Sequence, residues 1–458
     1  MAGPVLCWTK PVYDAGVGDR PRGIAGRTVS FRAGRRGAAA AALLAVSLSW
    51  PVSAVATTED ETPAAPERWT SFNDIACPPQ SPDDEEPPEG RLSSYVLGLP
   101  SAHELSTGEG VRIGLLDSGI NTSHVTLENA NIDEGVDLTD SDDATDDEFG
   151  SGTTYASFLV GSSDGQYPVR GVAPEATLVP IKIIDQVPEN MSQQYVADMA
   201  DRLTEGINWA VDNDIDIAVT ALALPTGSPE LEEAVREAEE AGVLIIAPGG
   251  ELTRNEDEDE ASLRFPAAYE SVLSVTAVTS AGGSVQGMLG ADTIDIAAPG
   301  QNIPGASNAS SSATCVVGKA YPSSLNASIN AAGVAALVIS AHPDETPAQI
   351  AHRLETTAIR PGADRRTSST SWGIINPSGA IAFIDDGTAH GPVSPAHGEQ
   401  PEPEFIGREP IAVEPDPQRM TKPMTWIGLA GGGALALALL LGAAGLWRGR
   451  NDSSDNEK

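Results

Sequence analysis

The chain has 458 residues, with 65 acidic against 27 basic side chains and a net charge of −38 at pH 7. So negative a balance argues against binding nucleic acid or adhering to anionic lipid, both of which need positive surface. The length suits one large domain or two ordinary ones, and the acidic excess is what a soluble extracytoplasmic domain carries.

The first 31 residues show no apolar periodicity. Arg32, Arg35 and Arg36 then precede the apolar run GAAAAALLAVSLSW, and Ala54 and Ala56 stand in the small-x-small pattern of a cleavage site. A basic flank, an apolar run and small residues form a secretory signal peptide, so residues 1–56 are expected to be an N-terminal extension and signal. Residues 57–94 are acidic and Pro-rich, an extended arm that carries Cys77. Cys7 precedes the signal, which leaves Cys77 and Cys315 as the exported cysteines; in an oxidising compartment they pair most simply with each other.

Residues 95–385 read as one continuous globular domain. VRIGLLD (111–117) is a strand, and FGSGTTYASFLVG (149–161) is a small-residue turn opening a buried helix. TLVPIKII (177–184) is the next strand, followed by a helix over 191–214 and a strand over 216–224. A helix over 228–242 begins at Ser-Pro and stops at Gly242. Strands at 243–250 and 271–278 and an apolar helix at 329–342 complete the series. Apolar strands alternating with helices predict an α/β fold: a mostly parallel sheet flanked by helices in three layers. Residues 386–425, rich in Pro, Gly and acid, read as a stalk. Trp426 to Trp447 is 22 residues without a charge, enough for one transmembrane helix. Arg448 and Arg450 follow it, which puts the tail 448–458 in the cytoplasm and the domain outside.

The order and spacing of these blocks resemble the subtilisin-like serine proteases. GEGVRIGLLDSGI resembles the segment that carries the catalytic aspartate, here Asp117; GVLIIAPGGE resembles the strand that ends at the oxyanion residue; SSLNASINAAGVAALV resembles the nucleophile turn and its helix. Such an enzyme needs a hydroxyl nucleophile, an imidazole base and a carboxylate to orient it, with donors aimed at the developing oxyanion. The resemblance puts Ser151 at the base position, Glu251 at the oxyanion position and Leu325 at the nucleophile position, and Ala221-Leu222-Ala223 on the substrate strand. Only Asp117 is retained. Ser151 cannot take a proton near neutral pH, Leu325 has no nucleophilic atom, and a carboxylate at 251 repels the charge it should stabilise. Ser323, Ser324 and Ser328 flank Leu325, but a hydroxyl there still lacks a base. His124 is expected to make a local hydrogen bond, and no reason places Lys182 or Lys319 beside a serine.

Signal, cysteine-bearing arm, domain, Pro-rich stalk and single C-terminal helix together resemble the mycosins, membrane-anchored subtilases of type VII secretion. That resemblance implies partners in a membrane secretion complex. The expectation is a mycosin-like pseudoprotease that acts by structure or binding; the alternative is an active serine endopeptidase with a non-standard catalytic set. No cofactor and no metal are expected. The acidic loop 137–150 lacks a fixed ligand spacing and is read as solvated rather than as a calcium site.

Overall fold

The computed structural model describes residues 94 and 96–398, with breaks at 140, 142, 163–168, 187–191, 253–262, 290–292, 320 and 363–365. The signal, the arm with Cys77, the end of the stalk and the Trp426–Trp447 segment lie outside the described residues.

A short helix, α1 (Leu99–Ala102), leads into the first strand, β1 (Arg112–Asp117). The main sheet also contains β2 (Asn131–Ile132), β3 (Val136–Asp137), β4 (Thr177–Lys182), β5 (Ile217–Thr220), β6 (Leu244–Pro248), β7 (Val272–Val278) and β8 (Ile296–Pro299). Its order is β2-β4-β1-β5-β6-β7-β8, with β3 also on β4, and every pairing is parallel. The strands are buried along nearly their whole length because helices cover both faces. Alternation sorts their side chains into two cores. Ile113, Leu115, Ile217, Val219, Leu244 and Ile246 face one layer, and Leu116, Ala218, Ile245 and Ala247 face the other. The three-layer α/β expectation is met.

The first layer holds α2 (Ser151–Val160) and α5 (Ser324–Ala341); the second holds α3 (Gln193–Asp212) and α4 (Pro229–Ala241). The caps are those a sequence can spell. Ser192 accepts from the Tyr195 N–H and Ser228 from the Leu231 N–H, and α4 stops at Gly242 with φ 96°. Among the described residues only α5 is long and apolar enough to cross a membrane, and it is buried within the domain instead. Its polar residues are satisfied there: Asn326 donates to the Gly300 carbonyl at 3.3 Å and Asn330 to that of Pro299 at 2.8 Å.

Three boundaries differ from expectation. β5 ends at Thr220 rather than 224, because the Leu222 N–H turns to the Thr220 hydroxyl at 3.1 Å and leaves the ladder. Leu224 instead exchanges backbone hydrogen bonds with Phe265, both 2.8 Å. α5 begins at Ser324, not 329, because Ser323 caps it. An antiparallel pair, β9 (Ile303–Ala306) and β10 (Thr314–Val317), was not anticipated, nor were α6 (Pro347–Thr357) and α7 (Pro377–Ala382). Residues 386–398, read as stalk, are turns tied to the domain through Asp385 and Arg360: Ser394 and the Gly387 N–H donate to the Asp385 carboxylate, and Arg360 donates to the His390 carbonyl.

Candidate active site

In a parallel sheet, functional groups gather beyond the carboxyl ends of the strands. Here β1 ends at Asp117, β6 runs out through Gly249 and Gly250 to Glu251, and the N-termini of α2 and α5 supply Ser151 and Ser324. Close approach demands small residues: a Cβ on Gly152 would lie 1.9 Å from the Gly119 carbonyl oxygen.

Asp117 is buried and accepts from the Ser118 N–H at 2.8 Å and from the Ser151 hydroxyl. Ser118 Oγ lies 2.9 Å from Ser151 Oγ and donates to Asp147 at 2.7 Å. The chain Asp117–Ser151–Ser118–Asp147 thus has three close oxygen pairs but only two hydroxyl protons. A shared carboxyl proton completes it. Burial favours that proton, lifting Asp117 to about 6 against the pull of Ser151 and Ser118, and raising Asp147 as well. Asp147 was not singled out from the sequence, where it is one acid among several. It holds the start of α2, accepting from the N–H groups of Gly150 at 2.6 Å and Thr153 at 2.8 Å.

Beyond the end of β6, Glu251 meets the start of α5. Glu251 Oε1 accepts from the Ser324 N–H at 2.6 Å, from Ser324 Oγ at 2.9 Å and from Ser323 Oγ at 3.2 Å. The Leu325 N–H donates to Ser323 Oγ at 3.2 Å. Leu325 itself packs in the core. Burial raises the Glu251 pKa; the Ser324 and Ser323 donors and the Arg264 charge oppose it. Arg264 also donates to the Glu251 carbonyl at 3.2 Å, and Gly250 can hold no side chain because the Arg264 Cγ stands 2.5 Å from where its Cβ would be. Among the described residues, Glu251 Oε2 and the hydroxyl of buried Tyr155 have no hydrogen-bond partner. The Tyr155 pKa is raised first by burial and then by the charges of Asp117 and Glu251.

No imidazole is brought to this cluster by the hydrogen bonds of His103, His124, His342, His352 or His397. His124 bonds Thr126 at 2.9 Å and the Ala313 carbonyl at 2.8 Å, the local role expected of it. Ser328, on the inward turn of α5, donates to the Leu325 carbonyl at 2.8 Å. On the segment after β5, Ala221 and Leu222 are buried and Ala223 is half-buried.

Two expectations change. Lys182 does lie beside a serine: its ammonium donates to Ser141 Oγ at 2.7 Å and to the Asp146 carbonyl at 2.8 Å, and it stands 3.8 Å from Asp137. An ammonium whose donors are so used is a structural cation, not a base. The acidic loop is therefore not merely solvated, since it folds over this buried lysine while only part of it faces water. Asp137 is held below the usual carboxylate range although its burial opposes this, by donors from Ser141, Thr139 and Asp143. Among the described residues, no group of three or more His, Cys, Asp or Glu could hold a metal. Cys315 is buried on β10 and disulfide-bonded, and Cys77, its expected partner, lies outside the described residues.

The parallel three-layer fold, with an aspartate at the end of β1, a small-residue helix start and a buried central helix converging on it, defines the class: a subtilisin-like hydrolase scaffold. Residues 108–382 match the subtilase family, and the chain belongs to it. It is 30% identical over 272 residues to subtilisin of Bacillus pumilus, an alignment covering 58% of this chain and 90% of that one. To subtilisin E of Bacillus subtilis it is 30% identical over 267 residues, covering 57% of this chain and 64% of the other. Among solved structures, the MycP3 protease from the type VII (ESX-3) secretion system superposes with a TM-score of 0.58 at 27% identity, covering 66% of this chain and 90% of that one. MycP1 from Mycobacterium smegmatis shares the fold with a TM-score of 0.58 at 20% identity, covering 71% and 92%.

Proposed function

We propose that this protein is a mycosin-like pseudoprotease: an exported subtilase domain, held at the membrane by residues 426–447, that serves a type VII secretion complex by structure or binding rather than by cleavage. The observation that carries the reading is the reversed polarity at Glu251. A site for acyl transfer presents donors to a developing negative charge. Here a fixed carboxylate stands at that place, the neighbouring Leu325 N–H is spent on Ser323, and the base position holds a serine that itself donates to Asp117. The mycosin assignment is supported by the likeness to MycP3 and by the layout of signal, arm, domain, stalk and apolar C-terminal segment. Cys77 is the proposed partner of Cys315, so that the arm is tied to β10.

A serine-reactive phosphonate probe tests the first half. No labelling is expected, and stoichiometric labelling at any serine would overturn it. Crosslinking in the native membrane followed by capture of the tagged chain tests the second; recovery without any type VII membrane component would refute that partner class.

A second reading, an endopeptidase with a non-standard set, draws on the contact of Glu251 with Ser323 and Ser324. Both hydroxyls are committed. Ser324 is wholly buried and accepts from the Gly250 N–H at 3.2 Å, and Ser323 caps α5. The phosphonate experiment separates the two readings.

A further inference from the structure

We infer that Glu251 is a built-in ligand of the α5 N-terminus, a carboxylate that fills from inside the place an anion would otherwise take, and that removing its side chain leaves a vacant site for a small carboxylate such as formate or acetate. This rests on the same cluster as the pseudoprotease reading, but it concerns what the carboxylate does rather than what the site lacks.

α5 is 18 residues long and has no acidic residue in its first turn, so the partial positive charge at its start has no compensation from its own sequence. Its first N–H groups need acceptors. Ser323 Oγ serves Leu325, and Glu251 Oε1 serves Ser324 at 2.6 Å. Helix starts of this kind are ready-made anion sites. Glu251 is drawn in by that geometry although it is 3% exposed and burial disfavours its charge.

A second observation is that Glu251 Oε2 is unsatisfied among the described residues, as is the buried Tyr155 hydroxyl. Tyr155 is also close enough for the Glu251 and Asp117 charges to oppose its ionisation. Truncating Glu251 would therefore expose to an incoming ligand the Ser324 N–H and the hydroxyls of Ser323 and Ser324. A planar carboxylate of one or two carbons matches the group removed.

The test uses the purified full-length chain and thermal unfolding followed by tryptophan fluorescence. Glu251→Ala should lower Tm by more than about 3 °C. Sodium formate or acetate should then raise its Tm above that in sodium chloride of equal concentration, with no such difference for the unsubstituted protein. A saturating ligand stabilises only the state that binds it. Glu251→Gln keeps an acceptor for the Ser324 N–H, whereas Glu251→Met has the same reach and none. The Gln variant should therefore be the more stable of the two, an ordering that can be read even if the Ala variant does not fold. Formate no better than chloride, an Ala variant as stable as the parent, or Met equal to Gln would each overturn the inference. Phosphonate labelling reports separately on the pseudoprotease reading, so either can fail alone.

Discussion

Lys182→Met is expected to destabilise the domain by about 3 kcal/mol. The lysine and Asp137 side chains are 1% and 4% exposed, so neither charge is screened by water as a surface pair would be. Methionine retains most of the apolar stem but loses two donors, to Ser141 at 2.7 Å and to the Asp146 carbonyl at 2.8 Å. A hydrogen bond from a charged group contributes about 1.5–3 kcal/mol. Breaking a buried ion pair by removing one partner costs about 3–5 kcal/mol. Asp137 keeps its donors from Thr139, Ser141 and Asp143, which places the expected value at the low end of that range. For a domain of this size the loss corresponds to a Tm decrease of roughly 5 °C. Denaturant titration by tryptophan fluorescence measures it, and limited proteolysis within 138–148 should become faster as the loop loses its anchor. The double variant Asp137→Asn/Lys182→Met should be less destabilised than the sum of the two single changes, because part of the single cost is the uncompensated carboxylate. A Lys182→Met variant within 1 kcal/mol of the parent, with unchanged cleavage, would refute this account of the loop.

Asp117, lifted to about 6 by burial, binds a proton more tightly folded than unfolded; its contribution is full below the unfolded carboxylate pKa and is lost as pH rises through 6. Asp117→Asn should remove up to about 3 kcal/mol of that pH dependence between pH 4 and 7, read as a flatter profile of Tm against pH. Leu325→Ser should yield no phosphonate labelling, since no imidazole stands beside it, and should cost about 2–4 kcal/mol for an apolar group removed from the core. A chain ended near residue 420 should leave the membrane fraction once the signal is cleaved; retention would remove the anchor assignment. Non-reducing peptide mapping should join Cys315 to Cys77, and its reduction should cost up to about 5 kcal/mol from loop entropy; Cys315 recovered with Cys7 instead would refute the pairing.

Five strands of the sheet, the four main helices and the family were legible in the sequence. Parallel strands covered on both faces need continuous apolar runs, and a capped helix needs Ser-Pro at one end and Gly242 at the other; both are local patterns and can be read without neighbours. It also singled out positions 151, 251 and 325, from the spacing to Gly333 and the order of the blocks. Some missed elements were legible too: Thr346 and Gln349 spell the capping box that opens α6. β2 and β3 are two residues each and carry no period of their own, so only pairing with β4 defines them. Which of many acids matter depends instead on the three-dimensional fold. Asp137 and Asp147 are indistinguishable from their neighbours in the run, yet one meets Lys182 across 45 residues and the other the start of α2. Glu251 is likewise one glutamate among many until α5 brings Ser324 to it from 73 residues away. Charge is a property of the residue, but whether it is solvated, paired or set against a helix start depends on which distant backbone the fold places beside it.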